Sequence, residues 1–243
     1  MKSWPDARSP WGKQLRFDDD EFEAMMDSAR RRSGDCFEAG RGIDVDAVLL
    51  RSEGVEADYL ELPEGILGRT KFVRDGSVQV EISRSLGDAS GVDHVARRRL
   101  RSTLAHEVGH IACHRVLFVQ DTESFSLFSD TELHALSRNV DPILCRGECV
   151  GSAGYSGEWW EYQANQCMAS LLLPREMIVR SVREQLSASA YKDGENCLRE
   201  GGGELLVRTL SDEYDVSHTL TLYRLQKLGF FPKGTQMMIG LGI

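Results

Sequence analysis

The sequence has neither a long hydrophobic run nor an excess of basic residues. No apolar stretch approaches the roughly 20 residues that a membrane-spanning helix needs, and the opening segment has no apolar region typical of a signal peptide. The net charge of −9 argues against a dedicated duplex-DNA binder, because phosphate contacts require basic side chains. We therefore expect a cytoplasmic protein with no membrane partner.

The feature that dominates the rest of the chain is His-Glu-Val-Gly-His at residues 106–110. On a helix, His106 and His110 project from one face and can both reach one metal ion. Glu107, between them, can take a proton from a water at that metal. This is the ligand pattern of a zinc peptidase. The alternative is a pair of surface histidines on an amphipathic helix, because short motifs also arise by chance.

The residues around this motif predict that it lies on a helix. Asp93 is a suitable N-cap, and no proline occurs between Val95 and Leu117. Gly109 lowers the helix propensity, so we expect a close-packing reason for it. On the face roughly opposite the histidines, four apolar residues with helical spacing would face a core: Leu100, Leu104, Val108 and Ile111.

A catalytic zinc site needs a third protein ligand and keeps one position for water. Residues 159–173 predict a second helix that stops at Pro174. Glu161 and Asn165 share one face of it, so Glu161 would bind the metal and Asn165 would hydrogen-bond a ligand histidine. Taken alone, Glu161 would be read as an exposed acid beside a core helix. The two histidines of the first motif require a third metal ligand, and this favours the interpretation of Glu161 as that ligand.

Two runs of sequence together resemble the ImmA/IrrE metallopeptidases, a gluzincin-like family. The first is Thr-Leu-Ala-His-Glu-Val-Gly-His-Ile-Ala-Cys-His at 103–114, and the second is Glu-Tyr-Gln-Ala-Asn-Gln-Cys-Met-Ala-Ser-Leu-Leu-Leu-Pro at 161–174. The family pattern is a His-Glu-Leu-Gly-His helix followed by a Glu-x-x-Ala-Asn helix that ends in Leu-Leu-Met-Pro. The resemblance covers about residues 78–174 well and the C-terminal region weakly.

The resemblance implies an activity, a substrate and a set of roles. Relatives typically cleave a helix-turn-helix transcriptional repressor and so switch on a mobile-element, stress or defence operon. Relatives also act in DNA-damage responses, which makes single-stranded DNA a candidate activator. Carried over to this chain, the resemblance implies that the Zn²⁺ ligands are His106, His110 and Glu161 and that the general base is Glu107.

The six cysteines show no disulfide framework, and free thiols or metal ligands are expected in a reducing compartment. Cys113 lies three residues after His110 and would point to nearly the same helix face. A thiolate can fill the open position of a zinc ion and block the catalytic water. The candidates for such a regulatory ligand are Cys113, Cys145 and Cys149. The alternative is a buried, inert thiol, which we expect at Cys36, Cys167 and Cys197.

We expect an α+β fold, with a mainly helical zinc-peptidase domain that contains a small antiparallel sheet and is followed by a helical C-terminal region. Alternating residues on either side of Asp75-Gly76 predict a hairpin. Its second strand, 78–83, is a candidate edge strand for an extended substrate, or else an ordinary sheet strand. The predicted divisions are an N-terminal arm at 1–17, the core at 18–175 with a long loop or lid at 115–158, and the C-terminal region at 176–243.

Two features raise the question of nucleic-acid binding. The basic runs 97–101 and 30–32 would form either a solvated face or a nucleic-acid patch near the cleft. Residues 204–229 resemble a helix-turn-helix pair, but its second helix carries only Arg224 and Lys227 as basic residues. We expect this pair to pack against the peptidase domain, since phosphate binding would demand more positive charge.

These observations favour a zinc-dependent, site-specific endopeptidase that cleaves a helix-turn-helix repressor. The alternative is a non-proteolytic anti-repressor that contains structural zinc. Glu107 argues against that alternative, because a structural site needs no general base and normally closes all four metal positions. A DNA-binding regulator is a third and weaker hypothesis, because the chain is acidic.

Overall fold

The computed structural model describes residues 2–6, 13–34, 37–38, 42–73, 77–118, 143–146, 158–185 and 203–232. The predicted α+β class is confirmed, and helices predominate. The strands are β1 (Lys2–Pro5), β2 (Lys13–Arg16), β3 (Phe37–Glu38), β4 (Gly42–Ile43), β5 (Ala57–Leu60), β6 (Ile66–Phe72), β7 (Val78–Ser83) and β8 (Ile143–Arg146). The helices are α1 (Asp19–Ser33), α2 (Val45–Val48), α3 (Arg84–Ser90), α4 (His94–His114), α5 (Trp159–Leu172), α6 (Arg175–Gln185), α7 (Gly203–Tyr214) and α8 (His218–Lys227).

The main sheet contains four strands in the order β5, β7, β6, β8. The predicted hairpin is confirmed, because β6 pairs antiparallel with β7. β7 also pairs in parallel with β5, so the sheet is mixed rather than purely antiparallel. The interpretation of residues 78–83 as an edge strand is wrong, because both sides of β7 are already hydrogen-bonded to neighbouring strands. Val80 and Ile82 are fully buried, which suits this interior position.

Helix α4 packs on β6 and β7 and also on α5, so both of its long faces are covered. Its predicted start is confirmed, since the carboxylate of Asp93 accepts hydrogen bonds from the main-chain N–H groups of Val95 and Ala96. From Ser102 onward nearly every residue of α4 is buried. The two motif histidines therefore lie as deep in the protein as the apolar stripe.

Helix α1 has a defined start and a defined end. Asp18 and Glu21 form a reciprocal capping box, in which each side chain accepts from the main-chain N–H of the other. Gly34 ends the helix at a φ of 91°, a left-handed conformation that glycine adopts at low cost. Helix α2 continues into a π-helical turn at Leu49–Glu53.

The N-terminal arm forms a two-stranded antiparallel ribbon of β1 and β2, in which Ser3 lies opposite Leu15. The side chain of Leu15 is only 2% exposed. The main-chain oxygen of Leu15 accepts a hydrogen bond from Gln163 on α5. The arm is therefore attached to the motif-bearing part of the protein through β2.

The helix pair α7 and α8 packs against the body of the protein, as predicted. Arg224, one of the two basic residues of α8, is only 3% exposed. Its guanidinium donates to the carboxylate of Glu23 on α1 and to the main-chain oxygen of Leu173. Lys227 forms an ion pair with Asp19. Because both basic side chains of α8 serve internal contacts, this geometry does not favour DNA binding by the pair.

The basic run that precedes the histidine motif also serves internal contacts. Arg97 and Arg98 both form ion pairs with Asp215, which lies in the turn between α7 and α8. Arg101 donates to the main-chain oxygens of Ile43 and Asp215. These three arginines tie α4 to the C-terminal helix pair, and the side chain of Arg97 is still 51% exposed.

Several predictions lie outside the described residues: most of the loop at 115–158, and Cys36, Cys149 and Cys197. Within the described ranges, every helix lacks either the length or the apolar character that a bilayer span requires.

Candidate metal centre

The two motif-bearing helices come into close contact at Gly109. A Cβ atom at this position would lie 2.7 Å from the main-chain oxygen of Ala164 and 2.9 Å from the Cβ of Cys167, both on α5. Only a residue without a side chain allows α4 and α5 to approach this closely. The predicted packing reason for Gly109 is therefore confirmed, and the contact holds the two halves of the candidate site together.

Three predicted ligands meet where these helices cross. The Nε2 atoms of His106 and His110 lie 2.9 Å apart. The carboxylate oxygens of Glu161 lie 3.1 Å from the Nε2 of His106 and 3.5 Å from the Nε2 of His110. All three ligand atoms fall within 4.8 Å of one another. Both histidines are fully buried and Glu161 is 5% exposed, so this cluster could bind a metal ion in a site largely shielded from solvent.

The electrostatics of the cluster favour a cation. Burial lowers the pKa of His106, but the hydrogen bond to Glu161 and the charges of Glu161 and Glu107 outweigh this effect and raise the pKa above its ordinary value. Burial lowers the pKa of His110 well below its ordinary value, and the neighbouring His106 and His114 lower it further. An uncharged His110 keeps a nitrogen lone pair available, while the carboxylates supply negative charge for a metal ion.

Asn165 lies where the sequence predicts, one turn after Glu161. Its Oδ1 is 3.1 Å from the Nδ1 of His106. An amide oxygen accepts hydrogen bonds, so the Nδ1 of His106 carries the proton and its Nε2 is left for the cluster. The structure thus places Asn165 in contact with His106, the first of the two motif histidines.

Sequence reasoning missed a second contact of this kind, made by His114. The Nδ1 of His114 is 3.1 Å from the Nδ1 of His110, and its Nε2 is 3.1 Å from the Oε1 of Gln163. Burial lowers the pKa of His114 to about 3, although the hydrogen bond with Gln163 opposes this effect. The spacing of four residues between His110 and His114 was the available signal, since it places both side chains on one helix face.

Glu107 does not belong to the ligand cluster and points instead to the sheet. The hydroxyl of Thr70 on β6 donates to the Oε2 of Glu107 at 2.5 Å. Gly68, on the same strand, leaves space for the other oxygen, because a Cβ there would lie 2.9 Å from the Oε1 of Glu107. Nothing in the sequence marked Thr70 or Gly68, since their role depends on how β6 crosses α4.

The structure does not bring Cys113 into the ligand cluster. Its sulfur lies 3.3 Å from the sulfur of Cys167, and both residues are buried between α4 and α5. Burial raises the pKa of Cys167 well above its ordinary value, and the neighbouring Cys113 raises it further, so this thiol stays protonated. Cys145 lies in β8, where its main chain pairs with that of Gly68 in β6. Cys149 lies outside the described residues.

Replacing Gly109 by alanine should separate the two halves of the cluster. The new Cβ meets a main-chain oxygen and a Cβ, neither of which can rotate away. We expect a loss of about 1–3 kcal/mol in the free energy of unfolding, measured by urea denaturation, together with weaker metal binding. Gly91→Ala is the matched control, because its Cβ would lie at an ordinary 3.6 Å from the nearest atom. Equal stability of the two variants would contradict the prediction.

No model of a known protein family matches the chain, and no curated protein matches its sequence. The resemblance to the ImmA/IrrE peptidases therefore stays a prediction that rests on the motifs of α4 and α5.

Proposed function

We propose that the chain is a zinc-dependent endopeptidase whose ligands are His106, His110 and Glu161 and whose general base is Glu107. One observation carries the proposal. A buried cluster of two imidazoles and one carboxylate has a second carboxylate, that of Glu107, beside it, and Thr70 holds this side chain apart from the three cluster residues. A structural metal site has no use for this arrangement.

The distances within the cluster suit zinc. Tetrahedral coordination with bonds of about 2.0–2.1 Å places neighbouring ligand atoms about 3.3 Å apart. In the cluster, the two Nε2 atoms lie 2.9 Å apart, the Oε2 of Glu161 lies 3.1 Å from the Nε2 of His106, and the Oε1 of Glu161 lies 3.5 Å from the Nε2 of His110. Two histidines and one glutamate are also a donor set of known catalytic zinc sites, which keep a fourth position for water.

Each residue then has a distinct task in peptide hydrolysis. Bound zinc would supply the Lewis acidity that activates a water and polarises the scissile carbonyl. Glu107 accepts the proton of the attacking water and later delivers a proton to the leaving amine. Thr70 fixes the direction of the Glu107 carboxylate through its hydrogen bond. Asn165 fixes the ring of His106.

The substrate class follows from the resemblance alone. We propose a helix-turn-helix transcriptional repressor, whose cleavage would switch on a mobile-element, stress or defence operon. Single-stranded DNA as the activator has less support from the contacts, because Arg97, Arg98 and Arg101 bind Asp215 and main-chain oxygens. The ion pairs leave these arginines little capacity to bind phosphate.

Metal removal tests the proposal directly. The purified chain is incubated with a candidate helix-turn-helix repressor, before and after treatment with a chelator. We expect cleavage to stop on chelation and to return with one equivalent of Zn²⁺. Mg²⁺ should not restore it, because this ion prefers octahedral oxygen ligands. A parallel set with single-stranded DNA tests activation.

Two results would overturn this proposal. Cleavage that persists in metal-free protein would exclude zinc from the reaction. Tight repressor binding with no cleavage, at full zinc occupancy and with or without DNA, would favour the non-proteolytic anti-repressor instead.

A further inference from the structure

A line of hydrogen-bonding groups connects the candidate metal centre to the N-terminal ribbon. The main-chain oxygen of Leu15 on β2 is 2.6 Å from the Nε2 of Gln163. The Oε1 of Gln163 is 3.1 Å from the Nε2 of His114, and the Nδ1 of His114 is 3.1 Å from the Nδ1 of His110. Apart from Leu15 itself, these residues lie on α4 and α5, and their side chains are buried.

The main-chain oxygen of Leu15 fixes the direction of the two outer hydrogen bonds in this line. The carbonyl oxygen of Leu15 can only accept, so the NH₂ group of Gln163 must face it. The oxygen of the Gln163 amide then faces His114 and also can only accept, so the Nε2 of His114 carries a proton. Chemistry alone thus fixes the amide orientation of Gln163 and the outer nitrogen of His114.

The inner half of the line follows from the burial of His114. Its two hydrogen-bond partners are an amide oxygen and an imidazole nitrogen, neither of them an anion. A buried cation without an anionic partner is costly, so His114 is a neutral imidazole with its lone pair on Nδ1. That lone pair must accept from the Nδ1–H of His110. In a neutral His110 with its proton on Nδ1, the nitrogen that carries the lone pair is the Nε2 that faces His106.

We propose that His114, Gln163 and the Leu15 carbonyl form a positioning relay that fixes His110 as the Nδ1–H tautomer and so presents its Nε2 lone pair to the metal. The inference rests on the proposed function, because it concerns a ligand of the proposed zinc ion. Asn165 has the same task for His106. Through Leu15, the N-terminal ribbon belongs to the metal centre.

The same geometry argues against His114 as a further metal ligand. Both of its ring nitrogens already face hydrogen-bond partners, one on α5 and one on His110. The group of described residues whose ligand atoms converge is His106, His110 and Glu161, without His114. His114 therefore acts through His110 rather than on the metal itself.

The first measurement is the tautomer of His110 in the full-length, metal-free protein, read from the ring-nitrogen resonances in ¹⁵N NMR spectra. We expect the proton on Nδ1. The second is zinc affinity by competition with a chelator. His114→Phe keeps a flat ring but removes the acceptor, and we expect affinity to fall by about 10- to 100-fold. His114→Asn places an amide oxygen near the former Nδ1 and should recover most of that loss.

His94→Phe is the matched control, because His94 lies on the same helix with its side chain 68% exposed. We expect its zinc affinity to equal that of the wild type. Thermal unfolding of each variant separates a loss of fold from a loss of ligand geometry. The tautomer of His110 is measured in the wild type, so that result does not depend on the folding of any variant.

Three results would overturn the relay: a proton on the Nε2 of His110, unchanged zinc affinity in His114→Phe, or no recovery in a folded His114→Asn. Failure of the proposed function would look different. In that case the wild type would bind zinc no more tightly than His110→Ala, while the tautomer of His110 could still be read from the metal-free protein.

Discussion

Replacing Glu107 by glutamine should lower peptide cleavage by about 10²- to 10⁴-fold, the usual contribution of a general base, while zinc content stays at the wild-type level. Glutamine has the same shape as glutamate and can still accept the hydrogen bond that Thr70 donates. It cannot accept a proton from the attacking water. Because Glu107 is not one of the three cluster residues, the metal should remain in place.

Glu161→Gln is the informative comparison for this variant. It makes the same chemical change, carboxylate to amide, on a residue whose oxygens lie 3.1 and 3.5 Å from the two imidazoles. We expect this variant to lose zinc and activity together. Both variants are measured for repressor cleavage and for metal content after dialysis. A Glu107→Gln protein that retains cleavage would remove Glu107 from the mechanism.

Replacing Arg224 by methionine should lower the free energy of unfolding by about 3–5 kcal/mol, the typical cost of removing one partner from a buried ion pair. The guanidinium is buried against Glu23 at 2.5 Å and against the main-chain oxygen of Leu173 at 2.8 Å. Burial lowers the pKa of Arg224, and Glu23 opposes this shift. Without the arginine, the Glu23 carboxylate would remain buried with only Ser170 and the main-chain N–H of Arg175 as partners among these contacts.

Two further variants define this effect, each measured by urea denaturation. The double variant Glu23→Leu/Arg224→Met removes both charges, so it should be less destabilised than the single variant Arg224→Met. Lys227 lies on the same helix as Arg224, and Lys227→Met removes a partly exposed ion pair with Asp19 of α1, so it should cost no more than about 1 kcal/mol. A cost for Arg224→Met no larger than that for Lys227→Met would contradict the prediction.

The ligand cluster could be predicted because metal chemistry imposes a fixed spacing on helices. Two histidines four residues apart share a helix face, and so do Glu161 and Asn165 on the second helix. Gly109 could be predicted as a packing position for a similar reason, since glycine within a helix needs a compensating contact. These inferences are local, and the contacts at Ala164 and Asn165 confirm their geometry.

The remaining contacts could not be predicted because they depend on which elements meet in three dimensions. Thr70 reaches Glu107 only because β6 lies against α4. The place of β7 inside the sheet depends on its parallel pairing with β5, which no local pattern signals. Arg97 and Arg98, which precede the motif, donate hydrogen bonds to Asp215, which lies more than 100 residues later in the chain. The activity, the substrate and the identity of the metal remain predictions.

The link between the ribbon and α5 is made by a main-chain atom, and this places an unusual demand on β2. A carbonyl group is present whatever side chain occupies position 15, so the contact itself tolerates substitution there. A shift of β2 by one residue is another matter, because successive carbonyls along a strand point in opposite directions. The same shift would turn the buried Leu15 side chain outward. The register of the ribbon, rather than its amino-acid identity, is what Gln163 depends on.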